Sequence, residues 1–328
     1  MKTSSTQSEF DLIRHYFAEM TTSCEGVSLG IGDDAAVLSV PPGMELVVSM
    51  DTLVAGIHFF PTVDPSTLGH KALAVNLSDL AAMGAEPAWV TLAITLPEVD
   101  ESWLEAFSKG FGDLARQYQI ALVGGDTTRG SLSITVQAHG FVPSGWALRR
   151  DGARVGDEIY VTGTLGDAAL YLASIIAADG QQSCVESLRR RLEMPQPRVE
   201  AGLTLRRLAG GSIDISDGLL ADLGHMLEAS GVGGSVALSK LPLSGEVKDW
   251  IHLSDDWSPV IAGGDDYELC FTAAPSEKAE IARLSDKLDL PITCIGKIEK
   301  VPGLRVVKPD GAMWSGHDMG FDHFAGAE

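Results

Sequence analysis

ELVVSMDTLV, residues 45–54, is a run of strand-forming side chains with one carboxylate, Asp51, set inside it. Val, Leu and Thr at this density suit a pleated strand. An unpaired carboxylate buried there is costly unless a metal or a hydrogen-bond donor satisfies it. Outward from this run, AAVLSV (35–40), AWVTLAITL (88–96), IALVGG (120–125) and LSITVQAHGFV (132–142) also read as strands and alternate with two helical stretches. The first helix is expected to start with Asp64 as N-cap and Pro65 at the first helical position and to run through LGHKALAVNLSDLAAMGA. Ala72, Val75, Leu80 and Met83 mark its expected buried stripe, with Asp79 at the edge. The second begins near Asp100 and carries Trp103, Phe107, Phe111 and Leu114 at helical spacing, which reads as core.

Proline, glycine and charge interrupt the apolar pattern in VPSGWALRRDGARVGDE, residues 142–158, and mark a domain boundary. The expected division is 1–146 and 147–328. The second part opens with the strand EIYVTGT, followed by helical LGDAALYLASIIAADG, CVESLRRRLEM and RVEAGLTLRRLAG. The segment IDISDGLLADLGHMLEASG, strands in GSVALSKL, ELCFTA and PITCIGKI, and a helix from Ser276 complete it. The fold class is α/β (α+β) in two domains.

The chain has 328 residues, 45% hydrophobic and 21% charged, with a mean hydropathy of +0.12, long enough for two cores. A net charge of −21 repels nucleic acid and anionic membrane, so neither is an expected partner. Cys24, Cys184, Cys270 and Cys294 are isolated, which excludes a disulfide scaffold and structural zinc and points to a reducing cytoplasm. The opening MKTSSTQSEFDLIRHYF lacks an apolar signal core, and no stretch is apolar for long enough to span a membrane.

Five acidic motifs lie beside glycine or apolar runs: GIGDDAAVL with Asp33 and Asp34, VVSMDTLV with Asp51, NLSDLAAMGA with Asp79, LVGGDTTRG with Asp126, and IDISDGLLADL with Asp214 and Asp217. Singly, each has a structural reading. Asp33 and Asp34 suit a polar turn, Asp79 suits a bond to a neighbouring loop, and Ser216 or Asp217 suits a helix N-cap. Capping explains one acid in the last motif and not two. If the motifs converge, the carboxylates repel, by roughly 1 kcal/mol per pair at ~4 Å in water and more in a drier cleft. Bound Mg²⁺ would turn that repulsion into attraction. Taken together the motifs point to a multi-Mg²⁺ site for a polyphosphate. Gly124 and Gly125 ahead of Asp126 suit close approach of backbone to phosphate.

The order and wording of GIGDDAAVL, VVSMDTLVAGIHF, NLSDLAAMGAEP, VGGDTTRG, the linker arginines, IDISDGLLADL, GGDDYELCF and the closing GFDHF resemble the bacterial thiamine-monophosphate kinase family of the aminoimidazole-ribonucleotide-synthetase superfamily. The resemblance spans about Glu9 to Phe324. It implies phosphorylation of thiamine monophosphate by ATP, dimerisation through the N-terminal sheets, and a C-terminal domain that completes the nucleotide and substrate site. It implies Mg²⁺ ligation by Asp33, Asp51, Asp79, Asp126, Asp214 and Asp217, with Ser49 and Met50 contributing oxygens. It implies ATP contacts from Gly125, Asp126, Arg150 and Ser216, and substrate contacts from His58, Asp265 and Phe321. Three positions depart from the family pattern: Met50 stands for a usual Thr, Asp265 for a usual Glu, and Ser108 for a Tyr common beside the nucleotide.

The chemistry is compatible with a site that lacks a catalytic base. A phosphate monoester has a second pKa of about 6, so near neutral pH the acceptor oxygen is already deprotonated. Catalysis then consists of alignment and charge neutralisation. The cationic thiazolium suits an acidic pocket and an aromatic face at Phe321. Two other readings remain at this level: a sister ATP-dependent enzyme of the superfamily, for which a selenophosphate-type reaction would need a reactive cysteine or selenocysteine in a Gly-rich N-terminal loop that Cys24 in SCEG only faintly echoes, and a non-catalytic Mg²⁺-nucleotide sensor. His58, Asp265 and Phe321 favour the kinase.

Overall fold

The computed structural model describes residues 12–17, 20, 25–177, 185–314 and 320. The chain separates into two compact units, Met1–Leu80 with Ala85–Gly145, and Ala81–Gly84 with Trp146–Glu328. Both are mixed α/β.

In the first unit a short ribbon of β1 (Val27–Leu29) and β2 (Val37–Leu38) precedes β3 (Met44–Val54). Only two residues of AAVLSV are strand. Then follow α1 (Pro65–Ala82), β4 (Glu86–Leu96), α2 (Glu101–Gln117), β5 (Ala121–Arg129) and β6 (Ser133–Pro143). The four long strands form one sheet in the order β3-β6-β4-β5, with β6 antiparallel to both neighbours and β4 parallel to β5. Helix α2 makes the crossover between the parallel pair, as such a pair requires.

Both expected helix starts are present. The Asp64 carboxylate accepts from the backbone N–H groups of Ser66 and Thr67, and the Asp100 carboxylate accepts from those of Ser102 and Trp103. Helix α1 departs from expectation in two ways. It stops at Ala82, because Gly84 turns left-handed (φ +64°) and its N–H bonds Ala81 O while Ala85 N bonds Leu80 O. Its burial is not a stripe: Ala72 to Ser78 are all buried, and so are Leu80, Ala81 and Ala82. The helices meet at glycines, where a Cβ on Gly69 would lie 2.1 Å from Phe107 O and one on Gly110 1.9 Å from Ser66 O. Phe107, Phe111 and Leu114 are core, and Trp103 stacks on Phe107.

The opposite face of the sheet is only partly covered. Trp89 and Phe141 pack edge to face, with Val27 and Leu38 of the ribbon against them, and the Trp89 indole donates to Glu25 O. On the same face Leu46, Val48 and Met50 are 43%, 47% and 62% exposed.

Among the described residues the second unit has six strands: β7 (Glu158–Thr162), β8 (Ala209–Asp214), β9 (Gly233–Ala237), β10 (Leu269–Ala273), β11 (Ile292–Glu299) and β12 (Gly303–Val307). Their order is β12-β9-β11-β7-β10-β8, antiparallel except for the β12/β9 pair. Among the described residues its helices of seven or more residues are α3 (Asp167–Ala177), α4 (Glu186–Glu193), α5 (Val199–Leu205), α6 (Leu219–Ser230), α7 (Gly245–Ser254) and α8 (Lys278–Leu288), with a single turn at Ser258–Ile261 before α8. Ile159, Val161, Ile213, Leu223, Met226, Val260, Cys270 and Ile295 belong to its principal core. Leu269 of β10 sits opposite Asp214 of β8, so the segment entering β10 lies beside the turn leaving β8.

Candidate active site

In the first unit, alternation along β3 sorts its side chains between two faces. Ser49 and Asp51 share the α1 side, where the Ser49 hydroxyl donates to the Asp79 carboxylate. The Asp51 N–H donates to Asn76 Oδ1 at 3.1 Å, and Asn76 is itself held by its Nδ2 donating to Ala72 O. Met50 points its side chain to the other, exposed face. His58 sits in the turn after β3, and its Nδ1 accepts from Val54 N at 3.0 Å. An imidazole that accepts at Nδ1 carries its proton on Nε2 and presents that nitrogen as a donor.

Asp33 is exposed and accepts from Asp34 N at 2.8 Å, the local turn geometry expected of that pair. Asp126 is exposed on β5, opposite Ala93 of β4. The glycine before it is also required by packing within the sheet. Gly125 has φ +154°, and a Cβ there would lie 1.8 Å from Leu92 O, so the neighbouring strand already excludes any larger residue. Ser108 is buried in α2 and its hydroxyl returns to Glu105 O of the same helix.

In the second unit, β8 delivers Asp214, buried, to a tight turn before α6. Neither Ser216 nor Asp217 caps that helix. The N-cap is Gly218, and Asp222 Oδ2 accepts from the backbone N–H groups of Ser216, Asp217 and Gly218 at 3.0, 3.0 and 3.2 Å. A carboxylate inside the first helical turn thus satisfies the amides of the turn and leaves Asp214 and Asp217 to other partners. Burial, together with the charge of Asp217, pushes the Asp222 carboxyl up to about 7, against the three N–H donors.

The turn is joined to residues 263–268, GGDDYE. Asp265 N donates to Ser216 O, Tyr267 N to Ile215 O, and Ile215 N to Glu268 O, at 2.8–2.9 Å. Asp265 and Tyr267 both take left-handed backbone, φ +67° and +50°. That conformation costs a non-glycine residue roughly 1–2 kcal/mol and persists only where the surroundings impose it. The Tyr267 hydroxyl donates to Asp265 Oδ1 at 3.0 Å. Asp266 turns inward to the Gly166 N–H, and its burial raises its pKa well above the usual carboxylate value. Glu268 is fully buried among Arg191, Arg198 and Thr162. Burial alone would raise its pKa, but the two guanidinium groups hold it below the ordinary value.

Arg150 is exposed in a single helical turn whose backbone is fixed by Ser230 Oγ donating to Arg150 O at 2.8 Å. Its neighbour Arg149 is committed to Asp151. Phe321 lies outside the described residues. The Gly320 backbone runs against the Asp217 turn, where a Cβ would meet Asp217 O at 2.8 Å.

Among the described residues, no three His, Cys, Asp or Glu side chains gather closely enough to hold a metal ion by themselves. The donor chemistry nevertheless fits Mg²⁺. The candidates are hard oxygen donors, and Mg²⁺ is commonly held by one or two carboxylates with water and substrate phosphate completing the shell. Ser49 with Asp79 forms one such oxygen pair.

Asn76, Asp222, Glu268, Arg191 and Arg198 were not singled out from the sequence. Two signals bore on them: the acid four residues after Gly218, and an arginine behind paired prolines in EMPQPR. Neither signal names its partner.

Residues 32–142 match the family described as AIR synthase related protein, N-terminal domain, and residues 154–308 match its C-terminal domain counterpart. The chain is 48% identical over 322 residues to thiamine-monophosphate kinase of Escherichia coli (strain K12), covering 97% of this chain and 98% of that protein. Its fold is similar to the crystal structure of thiamine-monophosphate kinase from Stenotrophomonas maltophilia K279a, with a TM-score of 0.82, 49% identity, and coverage of 88% and 93% of the two chains. It is also similar to the structure of AaThiL complexed with AMPPCP and TMP, with a TM-score of 0.76, 32% identity, and coverage of 90% and 93%.

Proposed function

This chain belongs to the thiamine-monophosphate kinase family, and we propose which of its residues carry the reaction of that family. The protein transfers the γ-phosphoryl group of ATP to the phosphate of thiamine monophosphate, giving thiamine diphosphate, the last step in making that product. In the proposed assignment residues 1–146 serve ATP and Mg²⁺ binding and dimerisation, and 147–328 supply the remaining nucleotide and substrate contacts. Asp33, Ser49, Met50 (through its carbonyl), Asp51, Asp79, Asp126, Asp214 and Asp217 are the oxygen donors for Mg²⁺. Bound Mg²⁺ would neutralise polyphosphate charge.

Gly125, Asp126, Arg150 and Ser216 serve the nucleotide, and His58, Asp265 and Phe321 the thiamine monophosphate. His58 donates through Nε2, a polarity suited to a phosphate oxygen. Arg150 supplies a planar cation to an anionic oxygen. The acceptor oxygen needs no base, because the phosphate is ionised near neutral pH. What remains for the protein is alignment of acceptor, γ-phosphorus and leaving oxygen. The observation that most supports the assignment is the zipped pair of Ile215–Gly218 and Asp265–Glu268, where inward acids (Asp222, Asp266, Glu268) anchor the backbone beside Asp214, Asp217 and Asp265.

The exposed Leu46, Val48 and Met50 support a homodimer paired through this sheet face. A reducing cytoplasm is the proposed compartment. Among the described residues no helix is long and apolar enough to cross a membrane.

The test is incubation of the pure protein with MgATP and either thiamine monophosphate or thiamine, followed by separation of the products. Thiamine diphosphate should form from the monophosphate, with thiamine a very poor acceptor because its alcohol must lose a proton. Comparable turnover of the two would refute direct phosphate-to-phosphate transfer.

A further inference from the structure

We propose that Glu268, held by Arg191 and Arg198, is a positioning residue that orients the acceptor-side carboxylate of Asp265 by way of Tyr267. The proposal rests on the reading of Asp265 as a contact to thiamine monophosphate.

Four observations carry it. The first is the coordination of Glu268: it accepts from Thr162 Oγ1 at 2.6 Å, Arg191 Nη2 at 2.8 Å and Arg198 Nε at 2.7 Å, with Arg198 Nη2 closing a bidentate pair. So dense a set of charge-assisted bonds fixes a side chain in one place. The second is that the chain makes room for it. Gly163 is left-handed (φ +59°), and a Cβ there would lie 2.0 Å from Glu268 Oε1.

The third is that the fixed carboxylate sits next to a strained backbone. Tyr267 holds φ +50° immediately before Glu268 and Asp265 holds φ +67° two residues earlier, conformations that the chain must be compelled to keep. Thr162 ties the other side, its hydroxyl donating to Glu268 while accepting from Leu269 N at 2.9 Å. The fourth is the direct link to the acceptor-side acid, the Tyr267 hydroxyl on Asp265 Oδ1. The chain of contact therefore runs from Arg198 and Arg191 to Glu268, along one peptide to Tyr267, and through its phenol to Asp265. Arg191 also donates to Thr164 O, so α4 is attached to the loop after β7 by the same group.

An anchor of this kind makes a specific kinetic claim. Loosening it should spoil the placement of Asp265, hence binding of thiamine monophosphate, while ATP contacts made elsewhere persist. The experiment measures KM for both substrates, kcat and thermal midpoint for Asp265→Asn, Glu268→Gln, Tyr267→Phe, Arg198→Lys and the Asp265→Asn/Glu268→Gln double variant. Glu268→Gln and Tyr267→Phe should each raise KM for thiamine monophosphate about tenfold, the scale expected when a hydrogen bond to a charged group is lost, with KM for ATP changed less than about twofold. Arg198→Lys should have a smaller effect of the same kind.

The double variant should be no worse than Asp265→Asn alone, because two members of one chain of contact are not additive. If Glu268→Gln fails to fold, Tyr267→Phe and Arg198→Lys make the same comparison. Effects that multiply in the double variant, or equal rises in both KM values, overturn the proposal, as does an unchanged KM for the folded variants when Asp265→Asn raises it. An Asp265→Asn variant with unaltered KM overturns the underlying assignment instead.

Discussion

Ser49 on β3 donates its hydroxyl to the carboxylate of Asp79 on α1, joining two residues thirty positions apart in the chain. The bond is possible because β3 alternates its side chains and α1 packs on the face that Ser49 shares with Asp51, where Asn76 also holds the Asp51 amide. Of the proposed Mg²⁺ donors, this pair is brought into direct contact.

Asp79→Asn keeps the size of the side chain and an acceptor oxygen but removes the charge. Turnover should fall at least about tenfold at limiting Mg²⁺, in the range seen when groups around a metal are altered, and raised Mg²⁺ should recover part of it. The thermal midpoint should change little. Activity close to wild type at limiting Mg²⁺ would remove Asp79 from the assignment.

Asp222 serves three backbone amides at once, and Asp222→Ala leaves all three without that acceptor. The expected loss of stability is at least about 1–3 kcal/mol, read from urea unfolding. Asp222→Asn retains an acceptor oxygen and should lose less. An alanine variant as stable as wild type would show that the turn finds its acceptors elsewhere.

The open sheet face makes a prediction about assembly. Val48→Lys combined with Met50→Lys places two charges on the exposed apolar surface and should convert a dimer to monomer in sedimentation velocity without loss of secondary structure. A wild-type protein that sediments as a monomer at micromolar concentration would end the dimer proposal.

His139 lies on the same face, opposite Val48 on β3 and Trp89 on β4. Its buried Nδ1 has no hydrogen-bond partner among the described residues. Burial lowers its pKa below the ordinary 6.5, against a backbone contact with Trp89 that pulls the other way. As pH falls below about 6.5 the unfolded chain takes up a proton before the folded one does, so this residue's contribution is intact above that pH and declines beneath it. His139→Gln should therefore flatten the acid side of the stability profile in urea melts between about pH 5 and 7.5. An unchanged profile would mean that His139 titrates alike in both states.

Much of the fold was legible because its signals are local. Asp64 before Pro65, and Asp100 ahead of Trp103 and Phe107, announce helix starts within one turn of chain, and the apolar runs around Asp51 and Ile134 announce strands. Helix α1 differs from its sequence pattern where neighbours decide. Its Ala-rich sequence allows a stripe, but backbone contact with α2 at Gly69 and Gly110 helps bury it nearly all round. Strand β8, helix α7 and strand β12 are not legible in the sequence, being weakly patterned elements stabilised by the core they join.

The sequence by itself determined the two α/β units' main elements, the acidic motifs and, through their wording, the family. Tertiary structure alone decided which acids face inward. Asp217 and Asp222 sit five residues apart in one motif, and Asp265, Asp266 and Glu268 within four residues in another. Yet Asp222, Asp266 and Glu268 are committed to backbone amides or arginines, some of them seventy or more residues away. A carboxylate's role is set by the charge and the donors within a few ångströms of it, and only the folded chain brings those donors there.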